Sequence, residues 1–223
     1  LKVVEVIKDT PDTVCIKFES DFGDYKPGQF VMVDYPTEEK IVKRAYSIAS
    51  SPTKDTVDVY VKEMPNGFVS KELQSIKEGV EFDGSGPFGH FVFDENKSDD
   101  IVLIGAGSGV APFLSMIEYI NDHSLSTKVK LFISNRFEAD IIGRKVLESE
   151  SGTNNNIDLL FNVTRDHENV NWDSKKGRID QEYLCDDFDD LNEKTFFLCG
   201  PLDFVKSIKE ILFDLGIDKS QIK

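Results

Sequence analysis

The feature that most constrains the fold of this chain is a change of hydrophobic pattern near residue 94. Before it, short runs of β-branched and aromatic residues alternate with turn-forming residues, and after it apolar strands alternate with amphipathic helical stretches. The polar run Asp94–Asp100 separates the two patterns. Closely spaced short strands are typical of antiparallel sandwiches and barrels, whereas strand–helix alternation is typical of a parallel sheet. The sequence therefore predicts two domains, residues 1–96 and 97–223, as a length of 223 residues also favours.

The first half is predicted to be an antiparallel β-barrel, and the second a parallel α/β sheet. In the first half the predicted strands are Val3–Ile7, Thr13–Glu19, Gln29–Tyr35, Arg44–Ala49 and Thr56–Lys62. A turn is predicted at Gly84-Ser-Gly-Pro87, and a helix is predicted from Phe68 to about Lys77. In the second half the predicted strands are Ile101–Ile104, Lys128–Ser134, Ile157–Thr164 and Thr195–Leu198, with helices at Ala111–Asp122, Ile141–Glu150, Gln181–Cys185 and Leu202–Leu215.

Charge and cysteine content argue against several classes of partner and site. The chain carries 41 Asp and Glu against 26 Lys and Arg, a net charge of -15, and such a field repels nucleic acid phosphates. Cys15, Cys185 and Cys199 form no CxxC pair, which argues against a disulfide framework, a metal site and an iron–sulfur cluster. No apolar run is long enough for a membrane span, and residues 1–8 lack a secretion-signal pattern. The sequence thus predicts a cytoplasmic protein.

A glycine-rich segment follows the first strand of the second half. The segment, Gly105-Ala-Gly107-Ser-Gly109-Val-Ala-Pro112, leads into a predicted helix. Glycines at such a junction let a phosphate approach the backbone N–H groups at the positive end of the helix. The spacing differs from the usual G-x-G-x-x-G fingerprint, and Ser134-Asn135-Arg136 closes the next strand without an acidic residue. On their own, these glycines fit either a dinucleotide site or a purely structural tight turn.

Two segments of the first half carry groups that suit a flat, phosphorylated cofactor. Arg44-Ala-Tyr46-Ser47 lies on a predicted strand, whose alternation places Arg44 and Tyr46 on the same face. Arginine binds phosphate through two parallel hydrogen bonds and tyrosine stacks on a heterocycle, although a surface arginine beside a half-buried tyrosine fits the same residues. The segment Pro65–Leu73 opens the predicted helix, whose free N–H groups suit either a phosphate or an ordinary cap.

Taken in order, these segments resemble the ferredoxin-NADP reductase superfamily across nearly the whole chain. The matching motifs are Arg44-Ala-Tyr46-Ser47, Gly67-Phe-Val-Ser70, Gly86-Pro-Phe-Gly89, Gly105-Ala-Gly107-Ser-Gly109-Val-Ala-Pro112 and Cys199-Gly200-Pro201. The resemblance implies a flavin-binding β-barrel domain followed by a nucleotide-binding α/β domain. It also implies FAD, rather than the FMN of some relatives, together with NADPH or NADH.

The resemblance implies roles for individual residues as well. Arg44 would hold the flavin pyrophosphate, Tyr46 would pack on the isoalloxazine, and Ser47 would lie near flavin N5. Ser47 and Cys199 are the implied catalytic residues, and they would position the reacting atoms. The further flavin ligands would be Tyr60, Val61, Lys62, Gly67, Val69 and Ser70. The nicotinamide-nucleotide ligands would be Gly107, Ser108, Gly109, Pro112, Asn135, Arg136, Thr164, Arg165, Cys199, Gly200 and Pro201.

The preference between the two nicotinamide nucleotides depends on charges at the ends of two predicted strands. Arg136 and Arg165 each follow such a strand, and arginine can pair with the 2′-phosphate of NADPH. Glu138, Asp140 and Asp166 lie close in sequence, and a carboxylate there suits the ribose hydroxyl of NADH. The arginines favour NADPH, with NADH as the alternative.

The implied function is hydride transfer from NAD(P)H to FAD and electron transfer onward to a separate acceptor such as ferredoxin. The alternatives are a flavin-binding electron-transfer subunit of a larger complex and a reductase of small molecules such as free flavin or ferric chelates. Ferredoxins are themselves acidic, so a ferredoxin partner requires a local basic patch on this acidic chain. The candidates for that patch are Lys43, Arg44, Lys62, Lys71 and Lys77.

Overall fold

The computed structural model describes residues 1–20, 22–165, 174–185, 191 and 193–223, and it divides into two compact units. Residues 1–93 and 111–123 form the first unit, and residues 94–110 and 124–223 form the second. The helix Ala111–Asp122 therefore belongs by its contacts to the first unit, although it follows the glycine-rich segment in sequence. The predicted domain boundary between residues 96 and 97 stays a prediction. No helix in the part of the chain that the structure describes is long and apolar enough to cross a membrane.

The first unit contains an antiparallel barrel. Its described residues form the strands β1 (Lys2–Thr10), β2 (Thr13–Glu19), β3 (Phe30–Pro36), β4 (Ile41–Ser47), β5 (Val57–Lys62) and β6 (Asp83–Phe88). They pair antiparallel in the orders β1-β2-β5 and β4-β3-β6. Single bridges, Ile48 to Val59 and Lys2 to Glu81, join the two sheets at both edges and close the ring. The predicted barrel is confirmed.

Alternation along the strands fills the barrel with β-branched residues. On β5, Val57, Val59 and Val61 are each 4% exposed or less, whereas Asp58 and Tyr60 between them lie on the other face. Burying one such valine contributes roughly 1.5–3 kcal/mol relative to an exposed one. The barrel core therefore fixes which residues of β5 face outward.

The prediction of a turn at Gly84-Ser-Gly-Pro87 was wrong, because these residues lie within β6. The strand pairs with the free edge of β3, and the register shifts between Phe30 and Met32. A Cβ on Gly84 would lie 2.9 Å from the Met32 carbonyl oxygen. Glycine permits this close backbone approach, so residues that usually mark turns here allow a strand to pair.

The helices of the structure are α1 (Phe68–Glu72), α2 (Ala111–Asp122), α3 (Arg144–Thr153), α4 (Gln181–Cys185) and α5 (Leu202–Asp214). Helix α1 is shorter than predicted and continues as a 3₁₀ turn over Leu73–Ser75. Helix α3 begins three residues later than predicted, because Gly143 has a left-handed backbone with φ 67° and cannot continue a right-handed helix.

The second unit contains a parallel sheet, as predicted, and its strand order is β10-β7-β8-β9. The strands are β7 (Asp100–Ala106), β8 (Lys128–Asn135), β9 (Ile157–Val163) and β10 (Thr195–Cys199). Their register aligns the carboxyl ends along one edge, where Cys199 pairs with Gly105, and Asn135 pairs with Val163. In open parallel sheets, ligands bind at this edge.

Candidate functional site

Strand β4 presents an exposed cation close to a half-buried ring. The Arg44 guanidinium is exposed and donates a hydrogen bond from Nη1 to the Lys43 carbonyl oxygen at 2.9 Å. Tyr46 packs against the barrel core, and burial raises the pKa of its phenol to about 12. Ser47 ends the strand opposite Phe30. A cation and a neutral aromatic ring on one strand suit a pyrophosphate and a flat heterocycle.

The residues predicted on β5 are less accessible to a ligand. Val61 is 1% exposed, and its carbonyl oxygen accepts a hydrogen bond from Gln74 Nε2 at 2.8 Å. Lys62 Nζ lies 2.7 Å from the Asp12 carboxylate. Burial raises the pKa of Tyr60, so its phenol is neutral. The Val61 side chain therefore faces the core, and Lys62 would have to leave Asp12 to bind a phosphate.

The turn before α1 closes tightly around a glycine. Ser70 Oγ accepts a hydrogen bond from the Met64 N–H and donates one to the Gly67 carbonyl oxygen, both at 3.0 Å. A Cβ on Gly67 would lie 2.5 Å from that hydroxyl oxygen. Val69 is 2% exposed within the core. This segment can therefore offer backbone N–H groups to a ligand, because its Val69 and Ser70 side chains are already engaged.

In the second unit, the glycine-rich loop lies against the end of β10. Gly107, Ser108 and Gly109 form a tight 3₁₀ turn after β7, and Gly107 is left-handed with φ +55° and open space on its side-chain face. A Cβ on Gly109 would overlap the Cys199 carbonyl oxygen and lie 2.7 Å from the Gly200 nitrogen. Glycine at 109 thus lets two backbones touch, and the predicted pyrophosphate loop lies beside Cys199 and Gly200.

The remaining residues of the two predicted nucleotide motifs occupy helix starts. Pro201 is exposed and immediately precedes α5, whereas Pro112 is buried in the first turn of α2, in the first unit. Burial raises the pKa of the Cys199 thiol to about 11, so the thiol is protonated at neutral pH. A neutral thiol can contact a nicotinamide ring but is a poor nucleophile.

The predicted residues at the ends of β8 and β9 lie together. The Thr164 N–H donates to the Asn135 carbonyl oxygen, and the Arg165 N–H donates to the Arg136 carbonyl oxygen, each at 2.9 Å. Arg136 and Arg165 are both exposed. The carboxyl edge of the sheet therefore carries two exposed arginines at adjacent strand ends.

One of the carboxylates near this edge is already engaged in an ion pair. Glu138 forms an ion pair with Arg144 at 2.6 Å, which neutralises one acid that was considered for the NADH ribose. Asp140 lies in the same short turn as Glu138, and Asp166 lies outside the described residues. The pairing of Glu138 leaves the exposed arginines as the stronger feature.

Two buried amide atoms at the same edge lack hydrogen-bond partners among the described residues. They are Asn135 Nδ2 and Asn162 Oδ1, on residues that are 7% and 0% exposed. An unpaired buried polar group costs about 1–3 kcal/mol, and a ligand that satisfies it recovers this energy. Sequence analysis missed Asn162, whose only indication was a polar residue within an apolar strand.

The candidate basic patch is partly neutralised. Lys43 Nζ lies 2.7 Å from the Asp34 carboxylate, and Lys62 is paired with Asp12. Exposed ion pairs of this kind reduce the local positive field. The structure thus weakens the case for an acidic docking partner at β4 and β5.

Two family models match the chain on either side of residue 100. The model described as oxidoreductase FAD-binding domain matches residues 1–93, and the model described as oxidoreductase NAD-binding domain matches residues 103–210. The chain belongs to the ferredoxin-NADP reductase superfamily. It carries the FAD-binding and NAD-binding domains of an oxidoreductase, which confirms the predicted cofactor classes. The roles of the individual residues stay predictions.

Three proteins that resemble this chain are longer than it is. The glycine betaine monooxygenase reductase subunit of Chromohalobacter salexigens is 30% identical over 226 residues, which cover 99% of this chain and 61% of that protein. The ferredoxin reductase in carbazole 1,9a-dioxygenase has a TM-score of 0.85 at 26% identity, covering 99% of this chain and 66% of its own. The flavohemoglobin from Malassezia yamatoensis with bound FAD and heme has a TM-score of 0.86 at 25% identity, covering 99% and 57%.

The chain spans about three fifths of the length of the curated relatives it matches. These relatives include reductase subunits of a glycine betaine monooxygenase and of a stachydrine N-demethylase.

Proposed function

We propose that this superfamily member transfers hydride from NADPH or NADH to FAD and passes the electrons to a separate acceptor. FAD, when bound, supplies a two-electron acceptor that can release electrons singly. The observation that best supports the proposal is the contact of the Gly109 backbone with Cys199 and Gly200. It brings a phosphate-binding type of loop and the predicted nicotinamide neighbour together at the carboxyl edge of the sheet.

In the first unit, Arg44 would bind the flavin pyrophosphate, because its exposed guanidinium has N–H donors beyond the one given to Lys43. Tyr46 would pack on the isoalloxazine as a neutral ring, and Ser47 would lie near N5. Backbone N–H groups at the start of α1, after Gly67, would meet the phosphates. Each of these groups orients the cofactor without exchanging a proton.

In the second unit, Gly107 to Gly109 would receive the nucleotide pyrophosphate. The open space beside Gly107 and the left-handed backbone there are features that let a phosphate approach the N–H groups. Cys199 would lie by the nicotinamide as a protonated thiol. The unpaired Nδ2 of Asn135 would donate to the adenosine part of the nucleotide, which gives this buried amide a partner.

We propose NADPH as the preferred nucleotide. Arg136 and Arg165 are exposed at adjacent strand ends, and Glu138 is already paired with Arg144. Arg136→Ala should raise the KM for NADPH roughly tenfold or more, since a charged hydrogen bond is worth about 1.5–3 kcal/mol. The KM for NADH should change much less, and equal effects on the two nucleotides would contradict the proposed preference.

The acceptor that we propose is a separate oxygenase component. A ferredoxin that serves one is the alternative, and it would dock away from the paired lysines Lys43 and Lys62. Relatives of similar sequence are named as reductase subunits of a monooxygenase and an N-demethylase, and a similar structure is the ferredoxin reductase in a dioxygenase. Cys15, Cys185 and Cys199 are free thiols, and we therefore propose a reducing compartment such as the cytoplasm.

An anaerobic titration of the FAD-loaded protein with NADPH and with NADH tests the proposal. We expect the flavin absorbance near ~450 nm to bleach, faster with NADPH. A protein that takes up neither FAD nor FMN would contradict the flavin site. A yellow protein that neither nucleotide reduces would instead indicate a flavin subunit that receives electrons from another partner.

A steady-state assay then separates the acceptor classes. Rapid turnover with ferric chelates or free flavin alone would favour a small-molecule reductase. Turnover that requires an added oxygenase component or ferredoxin supports the proposed electron-transfer function. Arg44→Ala serves as the control in both assays, because it should bind FAD more weakly while the second unit still binds nucleotide.

A further inference from the structure

Ser50, which is 1% exposed, is the centre of a hydrogen-bond hub in the first unit. Its Oγ donates to the Thr56 carbonyl oxygen at 2.9 Å and accepts from the Asp58 N–H at 3.0 Å. Its carbonyl oxygen accepts from the Ser115 hydroxyl at 2.6 Å and from the Tyr25 hydroxyl at 3.0 Å, and the same phenol oxygen lies 3.0 Å from Ser50 Oγ. Both lone pairs of this carbonyl are therefore used, and protein groups alone fix the Ser50 main chain.

Helix α2 holds the turn that follows Ser50 at two further points. The Ser51 N–H donates to the Glu118 carboxylate at 2.9 Å, and the Thr53 hydroxyl donates to the Asp122 carboxylate. The three helix residues in these contacts are spaced three and four positions apart, at Ser115, Glu118 and Asp122. They therefore lie on the same side of the helix. The helix that the sequence assigns to the nucleotide-binding half is thus anchored to the barrel unit through one polar face.

The same helix also packs on the barrel unit through apolar groups. The Phe113 ring lies 6.2 Å from that of Phe91, and the Tyr119 ring lies 6.3 Å from that of Phe93, between centroids. Ring pairs at these distances stabilise a contact beyond the area that they bury. The hydrogen bonds between helix α2 and the Ser50 hub are therefore accompanied by aromatic packing between the same helix and the barrel unit.

The main chain between the hub and the end of β4 is short and buried. Ser50 follows Ser47 by three residues, and the two residues between them are buried, with Ile48 at 1% and Ala49 at 4% exposure. The Ile48 N–H donates to the Gln29 carbonyl oxygen at 2.9 Å, and the Ala49 N–H donates to that of Asp58 at 2.8 Å. Ser47 is therefore joined to Ser50 by a short main chain that is buried and hydrogen-bonded.

We propose that Ser50, Tyr25 and Ser115 are positioning residues for the segment Arg44–Ser47. Through Ser115, helix α2 sets the place of the strand end that carries Tyr46 and Ser47. The inference rests on the proposed function, in which this segment binds FAD. The hub side chains are engaged with protein groups, so their effect on FAD would pass through the backbone of residues 47–50.

A double-mutant cycle with Tyr25→Phe and Ser115→Ala tests this role. Each single variant leaves the Ser50 carbonyl with one donor, whereas the double variant leaves it buried with none. We expect the FAD Kd to rise about twofold in each single variant and at least about tenfold in the double variant, because the two donors share one acceptor. Ser149→Ala, at an exposed serine of α3, is the matched control and should change nothing.

Hydrogen exchange of the cofactor-free protein provides a readout that does not require FAD. A peptide covering residues 44–51 should exchange faster in the double variant, while peptides from the second unit keep their wild-type rates. If the double variant does not fold, Ser115→Ala alone gives the same readout on a smaller scale. Unchanged exchange in this peptide and unchanged FAD affinity overturn the inference, even if the protein melts at a lower temperature.

Arg44→Ala distinguishes the failure of this inference from the failure of the proposed function. If Arg44→Ala does not weaken FAD binding, the flavin site lies elsewhere, yet the exchange of residues 44–51 still decides whether the hub positions this segment. If Arg44→Ala weakens FAD binding and the double variant does not, the flavin site stands and the positioning role is refuted.

Discussion

Substitution of Gly109 by alanine tests the central contact of the proposed nucleotide site. The added Cβ would overlap the Cys199 carbonyl oxygen and lie 2.5 Å from its carbonyl carbon and 2.7 Å from the Gly200 nitrogen. All three atoms belong to the backbone at the end of a strand, which cannot move aside as a flexible side chain would. Overpacking costs about 1–3 kcal/mol, and we expect the upper end of that range. For a chain of this size, about 3 kcal/mol lowers Tm by roughly 6–12 °C.

Two other glycines provide controls for this substitution. Gly152 lies in α3 with nothing within 4 Å of an added Cβ, so Gly152→Ala should raise the free energy of unfolding by about 0.5–1 kcal/mol through helix propensity. Gly107 is equally open but left-handed, and Gly107→Ala should cost only about 1–2 kcal/mol. Thermal unfolding and nucleotide binding are measured for all three variants. If Gly109→Ala is as stable as Gly107→Ala and binds NADPH normally, the packing argument is refuted.

Three further predictions concern the flavin site, the thiols and the acid stability. Arg44→Ala should raise the FAD Kd roughly tenfold or more in a fluorescence titration, as expected for one lost charged hydrogen bond, and an unchanged Kd would contradict the assignment. Iodoacetamide should label the exposed Cys185 before Cys199, whose thiol pKa burial raises to about 11, and mass spectrometry would reveal the reverse order. Burial alone would raise the pKa of Asp12, but the hydrogen bond and charge of Lys62 lower it below its usual value. Such a carboxylate stabilises the fold above its unfolded pKa of about 3.9, and this stabilisation is lost as pH falls through the folded pKa. Asp12→Asn should therefore make Tm fall less steeply as the pH is lowered. Equal dependence of Tm on pH in the variant and the wild type would argue against the Asp12–Lys62 ion pair.

Much of the fold follows from local sequence pattern. The valines of β5 alternate with polar residues, and the unbroken apolar run Ile101–Ile104 of β7 is buried on both faces. Each pattern carries its own period, so the strands and the change from barrel to parallel sheet are visible without any long-range information. Helix α2 also has the predicted bounds, because its amphipathic stretch follows a clear glycine-rich junction.

The predictions that failed concern residues whose conformation depends on distant partners. The glycines of β6 resemble a turn locally, yet they pair with β3 because their missing side chains allow the close approach to Met32. Helix α3 starts late because Gly143 is left-handed, which an apolar periodicity does not report. Local propensity is overridden where a partner strand or a backbone angle decides the outcome.

The sequence alone determined the superfamily, the two domain types, the cofactor classes and the motifs that carry them, because each depends on residues close together in the chain. Only the tertiary structure placed Gly109 on Cys199, left Asn162 with an unpaired oxygen and joined Ser50 to Ser115. These contacts link residues that are far apart in sequence. A single hydrogen bond or one missing Cβ produces no periodic pattern in the sequence from which it could be predicted. The sequence therefore indicates which cofactors the chain binds, whereas packing between segments remote in sequence determines how the binding residues are positioned.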